Sequence, residues 1–396
     1  MFAAMLDTSL ADHVNRTLST EQQQILADLR AYCTERLRDG ATAELTRGYT
    51  EPHSETMARE LAERGWWGLM IDPRYGGAGG GFSDVGIFLE ETFRAQAPIA
   101  GYVPTFIVVA ALNAFGTEAQ CQELLGAVAA GGVLAISITE PLVGSDAASV
   151  TTSARQEDSR DGPVWVINGE KRWCSSAHVA SHILVICRTS EESDRHHGLS
   201  MIFVPRESEG LEITAIETPI GRVSNELVLR DVRVPGDALL GTAGNGWVQT
   251  VAGLNAERVI LAASSLGLAQ RAFDDALAYV QERKQFGRPV GSFQSQQHRF
   301  ADLATELLKT RLLVRWVAGL VDEDPARLLP REASMAKLSA TELAKRCALE
   351  GLQAMGANGY DTQYGMVRHL QAALGATLYG GTSEIQRNII AKTLGL

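Results

Sequence analysis

Ser19-Thr20-Glu21-Gln22 has the form of a capping box, and apolar Ile25, Leu26 and Leu29 follow it at helical spacing. The chain as far as about Gly132 is rich in Ala, Leu, Glu and Gln, which favour helix. Residues 73–81, with Gly76-Gly77 and Gly79-Gly80-Gly81, predict a loop between helical pieces. From about Val133 the pattern changes. Val164-Trp165-Val166-Ile167 and Glu170-Lys171-Arg172-Trp173 flank Asn168-Gly169, a strong hairpin signal. Short apolar runs at 183–187, 201–204, 211–216 and 226–234, each bounded by Gly, Pro or polar residues, predict further strands. Several short strands without intervening helices suggest a small antiparallel barrel or sandwich. From about Trp247 the helical period returns. Leu254, Leu261 and Leu268 repeat every seven residues, Phe273, Leu277 and Val280 mark a second stripe, and 333–354 reads as a helix ended by Gly356-Ala357-Asn358-Gly359.

Composition narrows the function. The 396 residues carry a net charge of −11, which argues against a nucleic-acid binder. The five cysteines, Cys33, Cys121, Cys174, Cys187 and Cys347, form no C-x-x-C pair and no metal spacing, so no metal site is expected. Sparse, unpaired cysteines suit a reducing compartment. Residues 1–14 hold Asp7 and Asp12 and show neither a basic start nor a cleavable apolar stretch, so no leader is expected there. The apolar stretches 99–115 and 124–138 are broken by Pro104, Thr105 and Asn113 and by Gly126, Gly131 and Gly132, and read as core rather than as spans of about 20 clean residues. A cytoplasmic protein without membrane contact is the expectation.

Four segments, in this order, resemble the acyl-CoA dehydrogenase family. They are Ile138-Thr139-Glu140-Pro141 with Gly144-Ser145-Asp146, Asn168-Gly169-Glu170-Lys171-Arg172-Trp173, Glu282-Arg283-Lys284-Gln285-Phe286-Gly287, and Gly380-Gly381-Thr382-Ser383-Glu384-Ile385-Gln386-Arg387. The resemblance covers nearly the whole chain. It implies an α+β fold: an N-terminal α-helical domain (1–133), a middle antiparallel β-barrel domain (134–246) and a C-terminal four-helix-bundle-like domain (247–396). It implies FAD as cofactor and an acyl-CoA as substrate. Ile138, Thr139, Trp173 and Ser175 would meet the flavin ring, and Gly144 and Ser145 would lie near the pyrophosphate, with Ser145 also beside the substrate. Ser175 stands where the family commonly has threonine; serine keeps the hydroxyl donor. Arg283 and Phe286 would reach a neighbouring subunit's cofactor, Gln353 and Gly356 would touch its adenine side, and Thr382 and Glu384 would close the site. A homotetramer is expected, with a dimer or an α2β2 assembly as alternatives.

Many members of the family place a catalytic glutamate immediately before Gly-Thr-Ser, where this chain has Gly380. A minority, including isovaleryl- and long-chain-type enzymes, carries the base on a helix that Gly253-Leu254-Asn255-Ala256-Glu257-Arg258 resembles, and Glu257 stands at that place. The sequence supports this independently. Leu254, Glu257, Leu261, Ser264 and Leu268 fall on one helix face, and a carboxylate among leucines is desolvated, which favours its protonation. The competing reading is a structural glutamate paired with Arg258 or Arg222. Gly380 retains the backbone N–H that the family offers to the thioester oxygen, and Arg258 would hold the coenzyme A or thioester portion. Tyr102 and Phe106, with Ile107, would wall the acyl pocket. The implied reaction removes the pro-R α-proton, passes the β-hydride to the flavin and returns electrons through an electron-transfer flavoprotein. Two alternatives remain: other α-carbon chemistry such as desulfination, or a partner subunit in a heteromeric enzyme.

Overall fold

Ser19 starts helix α1 (Thr20–Arg36) as its spacing predicts. Its Oγ accepts from Gln22 N at 3.1 Å, and Gln22 Oε1 accepts from Ser19 N at 3.2 Å, so two end donors are satisfied reciprocally. The computed structural model describes residues 17–37, 52–160, 162–190, 195–325 and 327–396; the segment 1–14 read for a leader lies outside them. In chain order the longer helices are α1, α2 (Glu55–Glu63), α3 (Phe82–Arg94), α4 (Tyr102–Phe115), α5 (Gly246–Glu282), α6 (Gln294–Glu323), α7 (Pro330–Met355), α8 (Met366–Ala376) and α9 (Ser383–Thr393). The strands are β1 (Leu134–Ser137), β2 (Ser153–Ser159), β3 (Gly162–Ser175), β4 (His182–Arg188), β5 (Leu199–Pro205), β6 (Leu211–Thr218), β7 (Gly221–Pro235), β8 (Leu239–Leu240), β9 (Lys284–Gln285) and β10 (Arg288–Pro289). The two stripes expected after Trp247 form one 37-residue helix, α5. Among the described residues no helix is long and apolar enough to cross a membrane.

The chain divides into two compact units. One holds the described residues 52–80 together with Pro98–Glu257. Its sheet runs in the order β6-β7-β3-β2-β4-β5-β8, with β1 beside β4. The ladders are antiparallel except where β1 pairs with β4 (Leu134↔His182 to Ser137↔Val185) and at the single pair Ser153↔Arg188. The sheet is therefore not purely antiparallel as expected. The reason is connectivity: the β2–β3 hairpin and its flanking loops supply the long return that a parallel pair requires.

Asn168-Gly169 is not a hairpin turn. It lies inside continuous strand β3, and the turn to β2 comes instead between Ser159 and Gly162. Two contacts explain the dipeptide. A Cβ on Gly169 would sit 2.5 Å from Thr152 Oγ1, so glycine admits the neighbouring backbone. Asn168 exchanges two 2.9 Å hydrogen bonds with Asp231, which takes φ +48° at the β3·β7 register shift.

The other unit holds the described residues 17–37 with Gly81–Ala97 and Arg258–Leu396. Its core joins Leu266, Phe273 and Val280 of α5 to Phe300 and Leu307 of α6 and Leu343 and Cys347 of α7. Phe273 and Phe300 meet edge to face, with centroids 5.7 Å apart. A buried polar seam crosses it: Arg311 Nε donates to Glu90 Oε1 at 2.7 Å, and Arg30 grips Glu91 with two 3.0 Å bonds. Helix α5 meets α3 backbone to backbone at Gly267, where a Cβ would lie 2.3 Å from Glu90 O and 2.9 Å from Arg94 N. Gly267→Ala should therefore destabilise the protein by about 1–3 kcal/mol, the usual range for overpacking. The helix-propensity gain of up to about 1 kcal/mol does not offset a clash with backbone atoms. The urea midpoint checks this, and an unchanged midpoint would mean that the helices can separate freely.

Candidate functional site

The residues expected at the site fall in both units. In the sheet unit they gather where β1 ends. Glu140 and Val143 exchange backbone hydrogen bonds of 2.9 and 3.1 Å, which folds Pro141-Leu142 into a tight, exposed turn. Gly144 and Ser145 follow on the exposed side. The loop is anchored from beneath. Lys171, 1% exposed, donates through Nζ to Ile138 O at 2.9 Å and to Glu140 Oε1 at 3.0 Å. Glu140 also accepts from Thr151 N, Thr151 Oγ1 and Thr152 N at 2.7–2.8 Å. Burial pushes the Glu140 carboxyl upward, but the Lys171 ammonium and the threonine donors outweigh it and hold the group down at about 2. Burial likewise draws the Lys171 amine below its ordinary value against the pull of Glu140.

The strand that carries Lys171 then presents Trp173. Between Lys171↔Leu227 and Cys174↔Asn225, β3 spends one residue more than β7, which is a bulge, and Trp173 sits in it at φ +62°. Trp173 is 51% exposed, so it is not a core tryptophan. A bulky residue in left-handed backbone is a genuine outlier of the kind that clusters at functional positions. Arg172 holds the other side: its N donates to Thr139 O at 2.8 Å, its guanidinium pairs with Glu226 at 2.8 Å, and it lies 5.4 Å from the Trp173 ring centroid. Asn225, wholly buried, donates to Cys174 O at 2.9 Å and fixes the strand after the bulge. Ile138, Thr139, Trp173 and Ser175 are thus brought to one region by direct ladders and tethers.

Tyr102 and Phe106, expected as walls of the acyl pocket, lie buried on α4. They are 2% and 3% exposed, stack on each other with centroids 6.1 Å apart, and Tyr102 meets Trp67 edge on at 5.0 Å. Glu257 is partly buried on α5, with Leu254 also partly buried, and ends this unit. Arg222, one candidate structural partner of Glu257, pairs with Glu217 at 2.6 Å.

In the helical unit Arg258 is buried on α5. Arg283 and Phe286 lie on the exposed β9–β10 hairpin, whose tip is Phe286 (φ +54°) and Gly287 (φ +79°), both left-handed as a tight two-residue hairpin turn demands. Phe286 is 94% exposed, and its ring meets Phe293 edge on with centroids 6.1 Å apart. Gln353 and Gly356 close α7 on the surface. The segment after them is tied back, because Asn358 Nδ2 donates to Tyr279 Oη at 3.0 Å and to Tyr364 Oη at 3.1 Å. Thr382 caps α9, accepting from Ile385 N at 3.3 Å. Glu384 is exposed in the first turn, and the Glu384 backbone N–H and the Thr382 hydroxyl hold its carboxyl below the usual range. Gly380 and Gly381 precede the cap at φ +62° and +81°.

Sequence reasoning missed Glu140, Lys171 and Asn225 of the sheet unit and Lys337 and Gln386 of the helical one. Lys337 had a signal: Ala333, Ala336, Ala340 and Ala344 recur around it at helical spacing, which puts a lysine on a buried stripe.

Three family models match consecutive parts of the chain: the acyl-CoA dehydrogenase N-terminal domain over residues 19–132, the middle domain over 135–232 and the C-terminal domain over 244–395. The chain is 35% identical over 397 residues to "Probable acyl-CoA dehydrogenase YngJ" of Bacillus subtilis (strain 168), covering 96% of this chain and 100% of that protein. It is 34% identical to the mitochondrial short/branched chain specific acyl-CoA dehydrogenase of Bos taurus, covering 86% and 78%. The crystal structure of acyl-CoA dehydrogenase from Geobacillus kaustophilus superposes with a TM-score of 0.88 at 29% identity, covering 96% of this chain and all of that one.

Proposed function

The chain belongs to the acyl-CoA dehydrogenase family, and from that premise we propose how its residues divide the work of α,β-dehydrogenation of an acyl-CoA thioester. It is an FAD-dependent oxidoreductase. The side chains present fit that cofactor. Trp173 offers an open aromatic face beside the backbone of Ile138 and Thr139, with the Ser175 hydroxyl two residues along. Gly144 and Ser145 present an unencumbered backbone to a phosphate. Arg283 and Phe286 offer a fork and a ring to the diphosphate and adenine of a neighbouring copy's FAD, beside Gln353 and Gly356. Thr382 and Glu384 close the site.

When bound, FAD supplies the acceptor for the β-hydride. Glu257 takes the α-proton as general base. The Gly380 N–H donates to the thioester oxygen, where negative charge gathers as that proton leaves. Arg258 holds the coenzyme A or thioester portion. Ser145 meets the substrate near its thioester end. The three sequence domains, 1–133, 134–246 and 247–396, are the division this reading uses. A homotetramer in the cytoplasm, with an electron-transfer flavoprotein as electron acceptor, completes it. Desulfination and a silent partner subunit gain nothing from the relatives named above.

The observation that carries the reading is the exposed Trp173 in its left-handed bulge. The purified chain should be yellow and should bleach anaerobically on addition of the right member of an acyl-CoA panel. A colourless preparation that takes up no FAD would sink the proposal. A yellow one that no acyl-CoA bleaches would move it to other α-carbon chemistry.

A further inference from the structure

The corner between α8 and α9 is built on two adjacent left-handed glycines, a backbone with many alternative conformations. Two wholly buried side chains hold it in one. Gln386 of α9 donates through Nε2 to Gly380 O at 3.0 Å and to Gly381 O at 2.9 Å. Lys337 of α7 donates through Nζ to Gly381 O at 2.9 Å and to Ala376 O at 3.0 Å. Backbone bonds from Ser383 N to Thr377 O (3.0 Å) and from Gln386 N to Thr382 O (2.9 Å) fasten the two ends. A Cβ on Gly381 would lie 2.7 Å from Gln386 Nε2, so the corner rests directly on the clamp. Space alone does not call for these residues. A buried lysine is costly to desolvate, and an aliphatic chain fills volume without that cost.

We infer that Lys337 and Gln386 are positioning residues for the reaction: together they fix the Gly380 peptide so that its N–H meets the thioester oxygen already aimed. The inference rests on the assignment of Gly380 as the donor to that oxygen. With the carbonyls of Gly380 and Gly381 held, the preceding peptide, whose N–H belongs to Gly380, is anchored at its Gly380 end and turns only about Gly380 φ and the Tyr379 torsions. A donor fixed beforehand needs no reorganisation when charge develops. Loosening it weakens the transition state more than the ground state, so the loss falls on kcat rather than on KM.

The test uses Gln386→Leu and Lys337→Met in the FAD-loaded enzyme, with flavin content and thermal midpoint measured alongside. In each variant kcat should fall by about ten- to a hundred-fold, less than the loss of a whole oxyanion donor, with KM little changed. The second readout is the infrared carbonyl stretch of the bound, carbonyl-labelled enoyl-CoA product of whichever acyl-CoA bleaches wild type fastest. It should lie below that of the free thioester in wild type and move back toward it in the variants. Folded, flavin-loaded variants with wild-type kcat and an unmoved stretch would overturn the inference and leave Gly380 standing. A wild-type stretch equal to that of the free thioester would remove the Gly380 assignment itself, and the inference with it. Should Lys337→Met fail to fold, Gln386→Glu serves in its place, since an ionised carboxylate cannot donate to two carbonyls and must give the same shift.

Discussion

Glu257→Gln should lower turnover of the best acyl-CoA by about a thousand-fold while flavin content and substrate-induced spectral shifts persist. That factor is about 4 kcal/mol of barrier. Glutamine matches the size and shape of glutamate and keeps an oxygen acceptor but cannot take a proton at neutral pH, so the loss isolates base chemistry from packing. The position suits the role. Glu257 is partly buried and shares a helical stripe with Leu254, Leu261 and Ser264, the last two almost wholly buried. Gly380, where many relatives carry their glutamate, has no side chain to offer in its stead. Stopped-flow reduction of the flavin measures the step directly. If the variant reduces its flavin at the wild-type rate, another group takes the proton and Glu257 is a structural carboxylate.

The second large effect concerns stability. Lys171→Met should destabilise the protein by about 3–5 kcal/mol, because it leaves the Glu140 carboxylate buried without its cation. The same change frees the Ile138 carbonyl, so FAD should be held more weakly as well. The double variant Lys171→Met with Glu140→Leu should regain much of the stability but not the flavin affinity, since the loop would then lose its tether altogether. Urea titration and flavin release measure the two losses separately; a single variant as stable as wild type would mean that water reaches Glu140. The pH dependence follows from the sign of the shift. Glu140 is held at about 2, below its ordinary value of 4.5, so its contribution is fully present above about pH 4.5. It is lost as the pH falls toward 2, and Glu140→Gln should flatten the acid limb of the stability curve over that window.

Local signals carried most of what the sequence revealed. The Ser19–Gln22 cap, the strands from β4 to β7, and the glycine end of α7 each depend on a few neighbouring residues, and each formed where spacing predicted. Asn168-Gly169 misled because the same dipeptide serves two ends. Its glycine accommodates the Thr152 backbone and its asparagine binds Asp231, and both partners are distant in sequence. The Glu140–Lys171 pair was invisible for the same reason: 31 residues separate its members, and no periodicity relates them. Tyr102 and Phe106 show a limit of another kind. Aromatic residues on an apolar helix describe a core and a pocket wall equally well, and their packing on Trp67 and on each other is compatible with both.

Helix α5 is also a ruler. Arg258 and Arg283 are 25 positions apart on it and its immediate continuation, and at 1.5 Å per residue that is roughly 38 Å. On the roles proposed for them, the guanidinium for the thioester portion and the one for a diphosphate stand at opposite ends of this rod. The proposed function accordingly gives Arg283 to a second copy's flavin, and a lone chain, however well folded, would then lack one phosphate handle.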